Sequence, residues 1–184
     1  MNQNPMARLA SPPLLHWQYP LRHPRLHEAA AIHSLVAECP PLDLNSVYSY
    51  LLLCQHHCET CVVAEAAGDI VAFTSGYILP QSPDTLFIWQ IAVGCQARRQ
   101  GVAQRMLHEL LQRPICRRVR YLETTITPSN RASWALFSNL AEDLGVDHHH
   151  HILFAGEHFG AVEHQPEHLL RLGPFQQELH TIQH

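Results

Sequence analysis

The segment Thr85–Ala103, TLFIWQIAVGCQARRQGVA, constrains the fold most strongly. Its first nine residues are apolar apart from Thr85 and Gln90, the pattern of a central strand buried on both faces. An amphipathic helix follows at once. Ala103, Met106, Leu107, Leu110 and Leu111 share its apolar face, and Pro114 stops it. A buried strand feeding a helix through a short loop implies a layered α/β domain. The junction also carries chemistry. The start of a helix presents unpaired N–H groups and the positive end of the macrodipole, so it receives phosphate readily. Gly101 permits close backbone approach, Ala103 leaves room, and Arg98 and Arg99 add charge.

The remaining pattern fits one such domain. LLHWQYP (residues 14–20) reads as a first strand and residues 24–39 as a helix that Pro40-Pro41 ends. Asn45 is placed to cap a second helix, with Val47, Tyr50, Leu51, Cys54 and Cys58 as its buried stripe and Tyr48 off it. CVVAEAA and IVAFTSGYIL, separated by Gly68-Asp69, read as a hairpin. RVRYLETTI is a further strand, and PSNRASWALFSNLAEDLG is a helix with Gly145 at its C-terminal stop. Short strands are expected at HILFA and HLLRLG. The order is β-α-α-β-β-β-α-β-α-β-β, a mixed central sheet flanked by helices. The expected layout is a disordered tail over 1–13, the domain over 14–176 and a C-terminal tail over 177–184.

Composition removes several function classes. With 184 residues, 46% hydrophobic and 15% charged, the chain is long and apolar enough to bury a core. A net charge of -4 argues against nucleic acid or an anionic membrane as partner. No apolar run approaches membrane-spanning length, and MNQNPMARLASPP lacks the apolar region of a secretory signal, so a cytoplasmic protein with free thiols is expected. Two stretches suggest metal. CQHHCETC groups Cys54, His56, His57, Cys58 and Cys61, but no second Cys-x-x-Cys completes a four-ligand set. His148–His151 would alternate faces on a strand and cannot share one ion. No metal is expected.

The pattern Arg98-x-x-Gly101-x-Ala103 resembles the pyrophosphate loop of the GNAT acetyltransferase superfamily, and Asn130 stands where such proteins carry an Asn that meets coenzyme A. LDLNSVYSYLLLCQHH, WQIAV, ETTITPSN and EHQPEHLLRLGPF together resemble a narrower family, the L-2,4-diaminobutyrate acetyltransferases of ectoine synthesis. The chain departs from that family at Arg99 and Ala72, where the family usually has Gly. The resemblance implies a single-domain GNAT fold, acetyl-CoA as co-substrate, a small diamino acid as acceptor and a homodimer. It implies cofactor contacts from Ile91, Ala92, Val93 and the loop Arg98, Arg99, Gln100, Gly101, Val102 and Ala103, with Asn130 beyond. The backbone N–H of Val93 is the implied oxyanion donor. Asp43, Tyr48, Trp89, His164 and Glu167 are the substrate candidates. Glu123, Asp43 and Glu167 are all open as the general base. Many superfamily members place a tyrosine acid where this chain has Phe137 in Leu136-Phe137, so thiolate departure needs no such acid here. A silent acyl-CoA-binding module and an acetyltransferase for ornithine, lysine or a protein lysine remain the alternatives.

Overall fold

The computed structural model describes residues 19–161 and 163–176. The expected tails over 1–13 and 177–184, and residues 14–18 of the expected first strand, lie outside the described residues.

The elements are β1 (Leu21–Arg22), α1 (Ala29–Ala37), α2 (Val47–His56), β2 (Cys61–Ala66), β3 (Asp69–Leu79), β4 (Ser82–Val93), α3 (Val102–Gln112), β5 (Tyr121–Ile126), α4 (Arg131–Leu144), β6 (His148–Phe154) and β7 (Glu167–Leu172). From α1 onward the order is as expected, with shifted boundaries, whereas Tyr19 and Pro20 of the expected first strand are not strand and β1 follows them. Among the described residues one seven-stranded sheet runs β1-β2-β3-β4-β5-β7-β6, with β4 and β5 its only parallel pair. Two cores cover its faces. On one, α3 and α4 bury Met106, Leu107, Leu110, Phe137 and Leu140 against Leu86, Ile88, Leu122 and Leu170. On the other, α1 and α2 bury Ile32, Val36, Tyr50 and Leu53 against Val63, Phe73 and Ala92.

Three local departures have physical reasons. The first helix opens with a 3-10 turn at Leu26–Glu28, because the Glu28 carboxylate accepts from the Arg25 N–H at 2.7 Å and from Arg22. Ser46, not Asn45, caps α2, accepting from the Ser49 N–H at 3.3 Å. The buried face of α2 is Tyr50, Leu53 and Cys54, while Val47 and Leu51 face outward. Tyr50–Cys54 is apolar throughout, so periodicity cannot choose its phase.

Strand β4 holds the feature that creates the site. Ser75 faces Gln90 and the next residue, Gly76, faces Ile88, so Trp89 is an inserted bulge residue. A Cβ on Gly76 would stand 2.6 Å from the Phe87 carbonyl oxygen, so that register needs glycine. The bulge reverses the alternation. Leu86 and Ile88 sit in the α3–α4 core, as do Ile91 and Val93, whereas Ala92 sits in the α1–α2 core. Pairing of β4 with β5 stops at Ile88 and Thr124, although β4 continues to Val93 and β5 to Ile126. The sheet splits there, leaving one edge of β4 open.

Candidate active site

The open edge leads into a cleft of about 460 Å³ between β4, the loop before α3 and the start of α4. Ile91, Val93, Arg98, Arg99, Gly101, Val102, Ala103 and Asn130 line it. Ala92 points into the opposite core, and Gln100 donates to the Gln96 carbonyl at 2.8 Å, so neither side chain lines the cleft. Residues 39–42, Ala97, Gln104, Ala132, Ser133 and Leu136 complete the wall. Their positions depend on the α1–α2 linker folding over β4, which no local motif announces.

Backbone alternation sets where the Val93 N–H points. The Gly94 N–H donates to the Val71 carbonyl on β3 at 2.8 Å. Neighbouring residues of a strand point their N–H groups in opposite directions, so the Val93 N–H faces the open edge. The Val93 carbonyl accepts from Arg98 Nε at 2.9 Å and from the Cys39 thiol at 3.4 Å. Arg98 therefore braces the end of β4, a role the motif does not reveal. Arg99, exposed on the cleft wall, takes φ 59°, and Gly101 takes φ 70° as the N-cap of α3. Arg99 holds this left-handed conformation at a cost of about 1–2 kcal/mol, which a glycine at that position would avoid. The loop offers a helix N-terminus, cationic side chains and a glycine whose missing Cβ leaves open space, a set suited to a diphosphate. Asn130 both caps and lines: its Oδ1 accepts from the Ser133 N–H at 3.1 Å, and it forms part of the cleft wall.

Two carboxylates flank the split. Asp43 lies in the α1–α2 linker, and its backbone carbonyl accepts from Gln90 Nε2 at 2.7 Å, which ties it to β4. Glu167 opens β7, the strand paired with β5. Burial pushes the Glu167 carboxyl above the usual range, and the Asp43 carboxylate adds to that; Thr125, His164 and His168 oppose it. Thr125 lies within ETTITPSN, and its i+2 spacing from Glu123 puts both on one strand face. Glu123 is otherwise engaged. Its buried carboxylate accepts from Arg171 at 2.8 Å, and Arg171 lies over the Tyr121 ring at 3.8 Å. Trp89 is 44% exposed at the bulge, so it is not ordinary core. His164 stacks on Phe159 at 3.8 Å and lies close enough to Glu167 to act on its charge. Tyr48 is 67% exposed, and none of Tyr48, Asp43, Trp89, Glu123, His164 and Glu167 is among the residues that line the cleft.

The metal candidates resolve differently. Burial pushes the Cys54 thiol up to about 11 and the Cys61 thiol to about 12, so both are protonated core residues. Among the described residues, no three His, Cys, Asp or Glu side chains converge to hold an ion. The histidine run is the first half of edge strand β6, where His150 packs at 5.2 Å from the Trp134 ring centroid and the whole strand is exposed.

The acetyltransferase (GNAT) family model matches residues 29–141, from α1 through most of α4. An L-2,4-diaminobutyric acid acetyltransferase of Bordetella parapertussis is 52% identical over 159 residues, covering 86% of each chain. The corresponding enzyme of Halomonas elongata is 44% identical, covering 94% of this chain and 93% of its own. A solved diaminobutyrate acetyltransferase of Paenibacillus lautus, in complex with its substrate L-2,4-diaminobutyric acid and coenzyme A, superposes with a TM-score of 0.83 at 39% identity, covering 86% of this chain and 96% of that one. The chain therefore belongs to the GNAT acetyltransferases and, within them, to the L-2,4-diaminobutyric acid acetyltransferase family.

Proposed function

We propose that the protein transfers the acetyl group of acetyl-CoA to the side-chain (N4) amine of L-2,4-diaminobutyrate, giving N4-acetyl-L-2,4-diaminobutyrate for ectoine synthesis. One observation carries this reading: Asp43, whose backbone is held to β4 by Gln90, and Glu167, at the start of β7 beside β5, lie on either side of the split, and the Asp43 charge acts on Glu167. The acceptor brings two ammonium groups, and buried cations need anionic partners. Asp43, Glu167 and the exposed face of Trp89 supply such partners, with His164 at the rim. The open edge of β4 at Ile91 and Val93 holds the pantetheine arm, and the loop from Arg98 to Ala103, with Asn130, holds the phosphates. Acetyl-CoA supplies an activated thioester.

Each step then has a residue. The N4 ammonium first gives one proton to solvent, the neutral amine attacks, and Glu167 accepts the second proton as the carbon–nitrogen bond forms, when that proton becomes strongly acidic. The Val93 N–H donates to the developing oxyanion. Asp43 keeps the second ammonium paired. An ordinary thiol ionises near pH 8.5, roughly, so the thiolate leaves without a dedicated acid. Phe137, buried at the position of the usual tyrosine, offers none. Glu123, neutralised by Arg171, braces the sheet below the site.

The same proposal sets the enzyme in the cytosol, in compatible-solute synthesis under osmotic stress, as a homodimer. All six cysteines are free thiols, which suits a reducing compartment. Ile152, Leu153 and Phe154 expose apolar surface on edge strand β6, which suits a covered interface.

Thiol release with diaminobutyrate, ornithine, lysine and a lysine peptide tests the substrate. Diaminobutyrate should exceed ornithine by about 10- to 200-fold in kcat/KM, the discrimination available to one methylene. A higher kcat/KM for another amine would reassign the enzyme. The cradle makes its own prediction. Gly101→Val forces a β-branched residue into the left-handed region, so titration calorimetry should show acetyl-CoA binding weakened about tenfold, with the fold retained.

A further inference from the structure

Gln90 interrupts the otherwise apolar run Leu86–Val93, and it is buried. A buried amide is costly unless both ends are bonded. Here both are. Tyr50, fully buried on α2, donates its hydroxyl to Gln90 Oε1 at 3.1 Å, and Gln90 Nε2 donates to the Asp43 carbonyl at 2.7 Å. The amide can sit only one way round. The Asp43 carbonyl can only accept, so it faces the NH₂ group, and the oxygen is left for the tyrosine hydroxyl. The backbone of the next residue, Ile91, lies on the open edge. A single residue of β4 thus links the reacting edge to the linker that carries one of the two carboxylates.

We propose that Gln90 is a positioning residue, oriented by Tyr50, that holds Asp43 at the distance from Glu167 that a diamino acid requires. This rests on the assignment of Asp43 and Glu167 to the acceptor pocket. The chain Tyr50–Gln90–Asp43 meets the linker at Asp43, past residues 39–42 that line the cofactor cleft, and those are held separately by the Cys39 thiol on the Val93 carbonyl, so its loss falls mainly on the acceptor side. A filler of similar size without the amide frees the linker, and Asp43 moves away from Glu167.

Steady-state kinetics of Gln90→Met, Tyr50→Phe and the double variant test this. Gln90→Met should raise KM for diaminobutyrate about five- to tenfold, the worth of one buried hydrogen bond, with KM for acetyl-CoA within about twofold. Tyr50→Phe should act in the same direction and add nothing in the Gln90→Met background, as expected of members of one chain. The acid limb of kcat/KM should shift to lower pH in both, because the carboxylate that raises Glu167 has moved; His164 and His168, the other titratable groups acting on Glu167, stay in place. Equal rises in both KM values, additive effects or an unmoved acid limb would overturn the proposal. Tyr50→Phe removes one oxygen and keeps the test open if Gln90→Met does not fold. Failure of the wild-type enzyme to acetylate diaminobutyrate would instead sink the acceptor assignment itself.

Discussion

Glu167→Gln is expected to lower kcat/KM for diaminobutyrate about 10²- to 10⁴-fold, the usual worth of a general base. Its signature is a change in pH dependence. A base works deprotonated, so wild-type activity should rise with pH through the Glu167 pKa, which burial and Asp43 set above the ordinary carboxylate range. The glutamine variant should lose that limb. Stability should move the other way. A carboxyl whose pKa is raised by folding binds its proton more tightly in the folded state, so its ionisation costs stability as pH rises from the ordinary range through the raised value. Removing the charge should leave Tm at pH 7 unchanged or higher. Glu123→Gln, by contrast, breaks an ion pair with Arg171 and should lower Tm without removing the acid limb. Loss of the limb in Glu123→Gln would return that residue to the role of base.

The second large effect concerns a backbone group. Val93→Pro removes the N–H that points to the open edge and should cut kcat about 10²- to 10³-fold, the usual cost of one oxyanion donor. The substitution is compatible with the fold. The ladder bond at this end of β4 comes from the Gly94 N–H, and proline is tolerated where the missing N–H faces away from the paired strand. Circular dichroism should match the wild type, and KM for acetyl-CoA should move far less than kcat. An unchanged kcat would relocate the oxyanion donor.

Much of the site is legible in the sequence because it is local. Strand β4, the cradle and α3 lie within one continuous segment whose apolar period changes from strand to helix, and Asn130 lies at a second helix start. The element order is legible for the same reason. Partnerships made at long range are not. Nothing near Glu123 announces Arg171 on β7, and nothing near Gln90 announces Tyr50 and the Asp43 carbonyl. The bulge at Trp89 is hidden because an apolar run looks the same with or without an inserted residue. Strand β6 begins earlier than HILFA suggests, because histidines give no alternating signal and pairing with β7 extends the strand through all four. Asp43 and Glu167 emerge from family resemblance. Physical patterning alone favours an ordinary helix turn for one and a solvated loop charge for the other.

Everything proposed for the acceptor pocket turns on which nitrogen is acetylated, since Asp43 and Glu167 are assigned to present one amine and retain the other. Wild-type enzyme, acetyl-CoA and ¹⁵N-labelled L-2,4-diaminobutyrate, followed by two-dimensional NMR, read this directly. The expected result is a single amide on N4 with the α-ammonium untouched. Acetylation at the α-nitrogen, a mixture of the two, or no product under conditions where another amine is acetylated would contradict it.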